Sequence, residues 1–228
     1  DSELSSLFQI LDGRASRDIE KIVITASGGP FFGKTRRELE NVTVEDALKH
    51  PTWVMGPKVT IDSATLMNKA LEMIEASYLF GMSADQIEVV IQRESLMHAL
   101  VQFRDGNVMA VMSPADMRFA IHYALFYPDR VPNNLPRLDL AELSSRIPAG
   151  ALHFAKHDFE IFKGPLLAKE ALRQGGDAPA RLNEANEAAV QKFLNREISF
   201  LEIYPFIESY GDRVTPSRGK QRTLQREK

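Results

Sequence analysis

The 228-residue sequence contains no cysteine, which excludes disulfides and thiolate metal sites and suits a reducing compartment. It has no apolar run long enough to span a bilayer. Its net charge is only −3, so no excess of either sign argues for nucleic acid or a membrane surface as a partner. No G-x-x-x-x-G-K-[ST] phosphate loop and no G-x-G-x-x-G dinucleotide fingerprint occur in it. His98, His122, His153 and His157 lack metal-ligand spacing and read as structural or exposed, and nothing resembles a Ser-His-Asp elbow or a zinc signature. No internal repeat is evident. No secretory leader is visible, but the chain opens Asp-Ser-Glu without an initiator Met, so Asp1 is expected to be a truncation or processing point.

With 44% apolar residues, the chain is long enough for one large domain or two modest ones. β-like runs at 21–25 ("KIVIT"), 86–92 ("QIEVVIQ"), 98–103 ("HALVQF") and 107–112 ("NVMAVM") alternate with helical ones, and "RDG" joins the last two as a hairpin. After "VPNNLPRLD" (131–139) the pattern turns helical, in "GPLLAKEALRQGG" and "ARLNEANEAAVQKFLNRE". The expected fold class is an α/β (α+β) domain with a mixed sheet, residues 1–145, followed by a small C-terminal helical bundle, residues 146–228. The last stretch, "RVTPSRGKQRTLQREK", carries six basic residues against one acid and reads as a solvated tail.

Four stretches carry candidate chemistry. In "DSE" (1–3), an extended backbone would point Asp1 and Glu3 the same way, and with Glu72 they would make a hard-oxygen set suited to Mg²⁺ or Mn²⁺; plain surface charge is the alternative. "VITASGGPFF" (23–32) is a β run ending in a Ser-Gly-Gly turn, either a phosphate-holding loop or a simple tight turn. "KHPTWVMGPK" (49–58) holds the only Trp between Pro51, Gly56 and Pro57, and is either a lid or a loop anchored by Trp53. "IDSATLMNKALEMIEA" (61–76) reads as one helix capped at Asp62 or Ser63 and stopped at Gly81. Its Asn68, Lys69 and Glu72 lie on a polar face that is either functional or merely solvated.

In that order, "DSE", "SGGPF", "HPTWVMG" and "DSATLMNK", followed by "SPADMR" (113–118) and "RLNEANEAAVQKFL" (181–194), resemble the 1-deoxy-D-xylulose 5-phosphate reductoisomerase family across nearly the whole chain. The resemblance implies a metal- and NADPH-dependent oxidoreductase and isomerase of isoprenoid precursor synthesis, cytoplasmic or organellar, acting on a small phosphosugar as a homodimer. It implies Asp1, Glu3 and Glu72 as metal ligands. Ser2, Ser27, His50, Trp53, Ser63, Asn68 and Lys69 would bind substrate, with the phosphate on Ser27, Ser63, Asn68 and Lys69. Glu3, Lys69 and His50 would be catalytic, Met55 and Met117 would line the cofactor, and 49–58 would be the lid.

The family carries an N-terminal NADPH domain ahead of its "DSE". The expectation is therefore a piece of a longer polypeptide, a chain that needs a separate partner, or a non-catalytic phosphosugar-binding or dimerisation module. The sequence departs from the family pattern at Leu4, Phe32 and Val54, where His, a basic residue and a polar residue are common.

Overall fold

The computed structural model describes residues 1–143 and 152–210. The expected boundary at 145/146 and the basic tail lie outside those residues. The chain begins as a helix, α1 (Ser2–Leu11), whose N-cap is Asp1: its Oδ1 accepts from the Leu4 N–H at 2.6 Å. The extended segment expected at "DSE" is therefore not found, because an aspartate ahead of an amphipathic run satisfies an otherwise orphaned helix N–H. Leu7 and Ile10 bury the inner face of α1 against the sheet.

The sheet is mixed and five-stranded, in the order β4-β3-β1-β2-β5. Strand β1 (Ile19–Ala26) runs parallel to β2 (Ile87–Gln92), pairing Ile22 with Ile87 and Ile24 with Val89. Strand β3 (Met97–Phe103) is antiparallel to β1 and forms the expected hairpin with β4 (Val108–Met112). The last strand, β5 (Phe154–Ala155), comes from the C-terminal part and pairs antiparallel with the edge of β2.

Between β1 and β2 the chain makes two single-turn helices, α2 (Arg36–Leu39) and α3 (Val44–Ala47), each begun by a threonine capping box. Two longer helices follow, α4 (Pro57–Thr65) and α5 (Met67–Phe80). The expected single helix over 61–76 is thus broken at Leu66, which adopts a left-handed conformation, φ 59°. Asp62 and Ser63 lie in the last turns of α4 rather than capping a helix. The C-terminal helices hold this break. The Tyr204 hydroxyl donates to the Thr65 carbonyl and accepts from the Gly164 N–H at 2.9 Å. Gly164 itself packs so tightly that a Cβ there would lie 2.7 Å from the Leu66 oxygen. Gly81 ends α5 in the left-handed region, φ 66°, as its sequence position predicts.

Helix α6 (Arg118–Phe126) follows the hairpin. Among the described residues, the later α-helices are α7 (Gly164–Gln174), α8 (Ala178–Leu194) and α9 (Ile203–Tyr210). Helix α7 packs on α5 and α8 on α4, so one buried apolar cluster runs from Ile22, Ile24 and Val101 in the sheet through Met67 and Met73 to Val190 and Ile203. Among the described residues, no helix is long and apolar enough to cross a membrane.

Candidate functional site

The N-terminal ends of α1 and α5, the turn after β1, the loop before α4 and residues of α4 meet around a cavity of about 390 Å³. Every residue singled out from the sequence lines it: Asp1, Ser2, Glu3, Ser27, His50, Trp53, Met55, Ser63, Asn68, Lys69, Glu72 and Met117. A larger cavity of about 450 Å³ lies on the far side of Ser2 and His98, but it holds none of the carboxylate and amide cluster and is lined chiefly by α1, α6 and the segment after it.

The centre of the site is a buried charge cluster. Lys69 Nζ donates to Glu3 Oε1 at 2.6 Å and to the two Glu72 oxygens at 2.9 and 2.8 Å. Asn68 Nδ2 adds a bond to Glu72 Oε1 at 2.5 Å. Lys69 and Glu72 are only 7% and 4% exposed, so the reading of this helix face as solvated does not hold. Two carboxylates share one ammonium, and their pKa values move apart. Burial pushes the Glu72 carboxyl up to about 8, and the negative charge of Glu3 adds to it. Burial also opposes ionisation of Glu3, but the Lys69 charge and hydrogen bonds outweigh it and hold that carboxyl below its usual value. Lys69 is held above its usual value by the two carboxylates, against its own burial.

Asp1 shares the cavity but is exposed and occupied in capping α1. Among the described residues no three His, Asp or Glu side chains are gathered closely enough to hold a metal ion. The reason is local: Lys69 fills the space between Glu3 and Glu72, while one Asp1 oxygen faces the helix. The donor chemistry nevertheless fits a hard divalent cation, because Glu3 and Glu72 present carboxylate oxygens around one shared cation, Lys69.

Another wall carries His50 and the hydroxyls of Ser27 and Ser63. His50 Nδ1 accepts from the Thr52 and Trp53 N–H groups, at 3.1 and 2.8 Å, so the ring proton sits on Nε2 and is donated to Ser27 Oγ at 3.0 Å. Ser27 Oγ also accepts from the Gly29 N–H at 3.2 Å, which leaves its own proton to donate elsewhere. Burial, with Arg93 and Lys69 nearby, brings the His50 pKa down to about 4, so the ring is neutral at physiological pH. The Ser-Gly-Gly turn is pinned by Arg93, which donates to the Ser27 and Gly29 carbonyls at 2.8 and 3.0 Å. At Gly29, φ 64°, a Cβ would fall 2.7 Å from the Ser63 oxygen, so glycine lets the turn lie directly against α4. Ser27, two residues before Gly29, lines the same cavity as Ser63.

Some residues of the site were not read from the sequence. His98, placed among the structural or exposed histidines, is buried on β3, lines the cavity and bonds Ser113 Oγ through Nε2 at 2.8 Å. Lys58 also lines the cavity, paired at 2.8 Å with the buried Asp62, which in turn accepts from Asn186 Nδ2 of α8 at 2.8 Å. Arg93 and His98 reach the site only through strand pairing, and the Asp62 partner lies more than a hundred residues away, so local spacing carried no signal for them. Where the family pattern has a basic residue, the Phe32 ring is instead covered by Arg93, 5.1 Å from its centroid.

Residues 1–80 match the family model described as 1-deoxy-D-xylulose 5-phosphate reductoisomerase C-terminal domain, and residues 112–226 match that described as DXP reductoisomerase C-terminal domain. The chain is 52% identical over 208 residues to the 1-deoxy-D-xylulose 5-phosphate reductoisomerase of Lachnospira eligens, covering 91% of this chain and 53% of that protein. It is 52% identical over 209 residues to the enzyme of that name from Bacillus subtilis, with the same coverage of 91% and 53%. Among solved structures it superimposes on DOX-P reductoisomerase in complex with NADPH, fosmidomycin and magnesium, with a TM-score of 0.84 and 38% identity over 93% of this chain and 53% of that one. The reductoisomerase from Zymomonas mobilis in complex with NADPH gives a TM-score of 0.86 and 37% identity over 96% of this chain and 55% of that one. The chain spans about half the length of the curated relatives it matches. Two matched family models, arranged along a mixed sheet and helices of the same fold, establish that the chain belongs to the 1-deoxy-D-xylulose 5-phosphate reductoisomerase family.

Proposed function

We propose that this chain is the substrate- and metal-binding portion of a 1-deoxy-D-xylulose 5-phosphate reductoisomerase, which rearranges and reduces its substrate to 2-C-methyl-D-erythritol 4-phosphate. The observation that carries the reading is a single cavity that holds the Glu3–Glu72 carboxylate pair, bridged by Lys69 and Asn68 from the first turns of α5, together with the hydroxyls of Ser27 and Ser63. One helix face thereby sets the distance between the two ends of a short phosphosugar.

In this reading Glu3 and Glu72, joined by Asp1, hold Mg²⁺ or Mn²⁺, which when bound polarises the substrate carbonyl. Ser2 meets a substrate hydroxyl beside them. Ser27, Ser63, Asn68 and Lys69 take the phosphate, and neutral His50 orients Ser27 so that its proton faces the anion. Trp53 and the rest of loop 49–58 close over the substrate and exclude water, which strengthens each of these contacts. Met55 and Met117 offer an apolar wall for the nicotinamide of NADPH, the hydride donor, for which this chain carries no phosphate-binding fingerprint. Residues 1–145 are the catalytic domain in this scheme, and the later helices support the α4–α5 break. Homodimerisation is supported by the exposed edge strand β4, with Val108 and Met109, and by Ile121, Leu125 and Phe126 of α6.

The test is a calorimetric titration of this chain with 1-deoxy-D-xylulose 5-phosphate, with and without Mn²⁺. Saturable binding that requires the metal supports the reading. Equal binding with and without metal, or none in either case, counts against it.

A further inference from the structure

Lys69 and Asn68 each have two claims on them. Both are proposed to hold the substrate phosphate, yet both are engaged by Glu72: Lys69 Nζ lies 2.6 Å from Glu3 and 2.8 Å from Glu72, and Asn68 Nδ2 lies 2.5 Å from Glu72. Those carboxylates are the ones proposed to hold a divalent cation. An ammonium and a dication cannot both sit within contact distance of the same buried pair without strong repulsion, since like charges about 4 Å apart cost several kcal/mol even at an effective dielectric near 20. A lysine can resolve the conflict, because its flexible stem moves a compact charge between partners that lie within one side-chain length. Ser63 and Ser27 line the same cavity as Lys69 and present that second partner's site.

We infer that Lys69 is an exchangeable internal cation that neutralises the Glu3–Glu72 pair until a divalent cation takes its place, and then turns to the phosphate. The inference rests on the proposed function. The exchange keeps charges matched: a dication takes the carboxylate pair, and the released ammonium meets a dianion. Metal and phosphate therefore bind cooperatively, each raising the affinity for the other by the same factor.

The experiment titrates Mn²⁺ into this chain by calorimetry, with and without inorganic phosphate, using the wild type, Lys69→Met and Glu72→Gln. Phosphate is expected to tighten Mn²⁺ binding by the wild type by roughly tenfold, a coupling of ordinary size. Lys69→Met, freed of the competing ammonium, is expected to bind Mn²⁺ about tenfold tighter than the wild type without phosphate and to ignore added phosphate. Equal or weaker Mn²⁺ binding by folded Lys69→Met, with Glu72→Gln still abolishing it, overturns the exchange but leaves the metal assignment standing. Unchanged binding by Glu72→Gln, or none by the wild type, overturns both. A measurement independent of the variant is the ¹⁵Nζ resonance of Lys69 in the wild type. Saturating Mg²⁺ is expected to move it, and a resonance that stays in place overturns the inference.

Discussion

Two ion pairs in this molecule have the same length and opposite standing. Lys69 Nζ lies 2.6 Å from Glu3, and Arg173 lies 2.6 Å from Asp85. The side chains of the first are 8% and 16% exposed, those of the second 55% and 76%. At the surface, water and salt screen the attraction, and holding two long side chains in place offsets most of what remains. In the cavity both charges have lost their water, so the cluster is costly unless a further cation or ligand completes it. The lesson is that distance alone does not mark a site here. Burial of a charge cluster does.

The widest gap between the two regions is expected from Glu72→Gln. It removes a carboxylate from the cavity while keeping the shape of the side chain and its contact with Asn68. Metal-dependent binding of 1-deoxy-D-xylulose 5-phosphate should fall by roughly a hundredfold, the upper end of what disturbing a metal site costs. A titration showing an unchanged dissociation constant would remove Glu72 from the metal set and erase the distinction drawn above.

Next in size is the contact by which the C-terminal helices hold the site's geometry. Gly164→Ala would drive a Cβ to 2.7 Å from the Leu66 oxygen, at the backbone break that orients α5. A loss of about 1–3 kcal/mol is expected, as for overpacking elsewhere. Tyr204→Phe, which leaves the buried Gly164 N–H and the Thr65 carbonyl without their partner, should cost a similar 1–3 kcal/mol. Both are read from urea midpoints. A variant as stable as the wild type would show that the break holds without help from the C-terminal helices.

That contact also shows where the sequence stops being informative. The hairpin, the strands at 21–25 and 86–92 and the stop at Gly81 were legible because each depends on neighbours a few residues apart. Helix α1 was misread because an acidic i, i+2 pair looks alike in a strand and at a helix start, and only the Asp1 cap distinguishes them. The break at Leu66 was invisible because its cause, Tyr204 and Gly164, lies far along the chain, while "IDSATLMNKALE" is helical on both sides of it. Strand β5 consists of two residues whose identity as a strand rests on Ile91 and Gln92. The cavity residues were legible only through ordered motifs that resemble a family. Their spacing alone left each open to a bland reading, and Arg93 and His98 had no such motif to announce them.

His50 stands between the two extremes, half-buried and facing positive neighbours. Burial first, then Arg93 and Lys69, lowers its pKa from 6.5 to about 4. As pH falls, the unfolded chain takes up this proton before the folded one. The stability linked to His50 is therefore present above pH 6.5 and lost progressively as pH drops through 4. His50→Gln removes that proton uptake, so its urea midpoint should decline less steeply across this window than the wild type's. Parallel pH profiles would mean that the ring is as open to water as any surface histidine.

The smallest effect belongs to the exposed pair, and it is the control that gives the comparison its meaning. Asp85→Asn removes the partner of Arg173 and breaks the 2.6 Å bridge between α7 and the turn ahead of β2. Because both side chains remain in water, each is solvated about as well apart as together, and the expected change in unfolding free energy is within about 0.5 kcal/mol. Any residual effect should vanish at high salt, where the screening length shrinks to about 3 Å. A loss above 1 kcal/mol that survives added salt would place this bridge with the buried cluster, and burial would no longer separate charges that make a site from charges that decorate a surface.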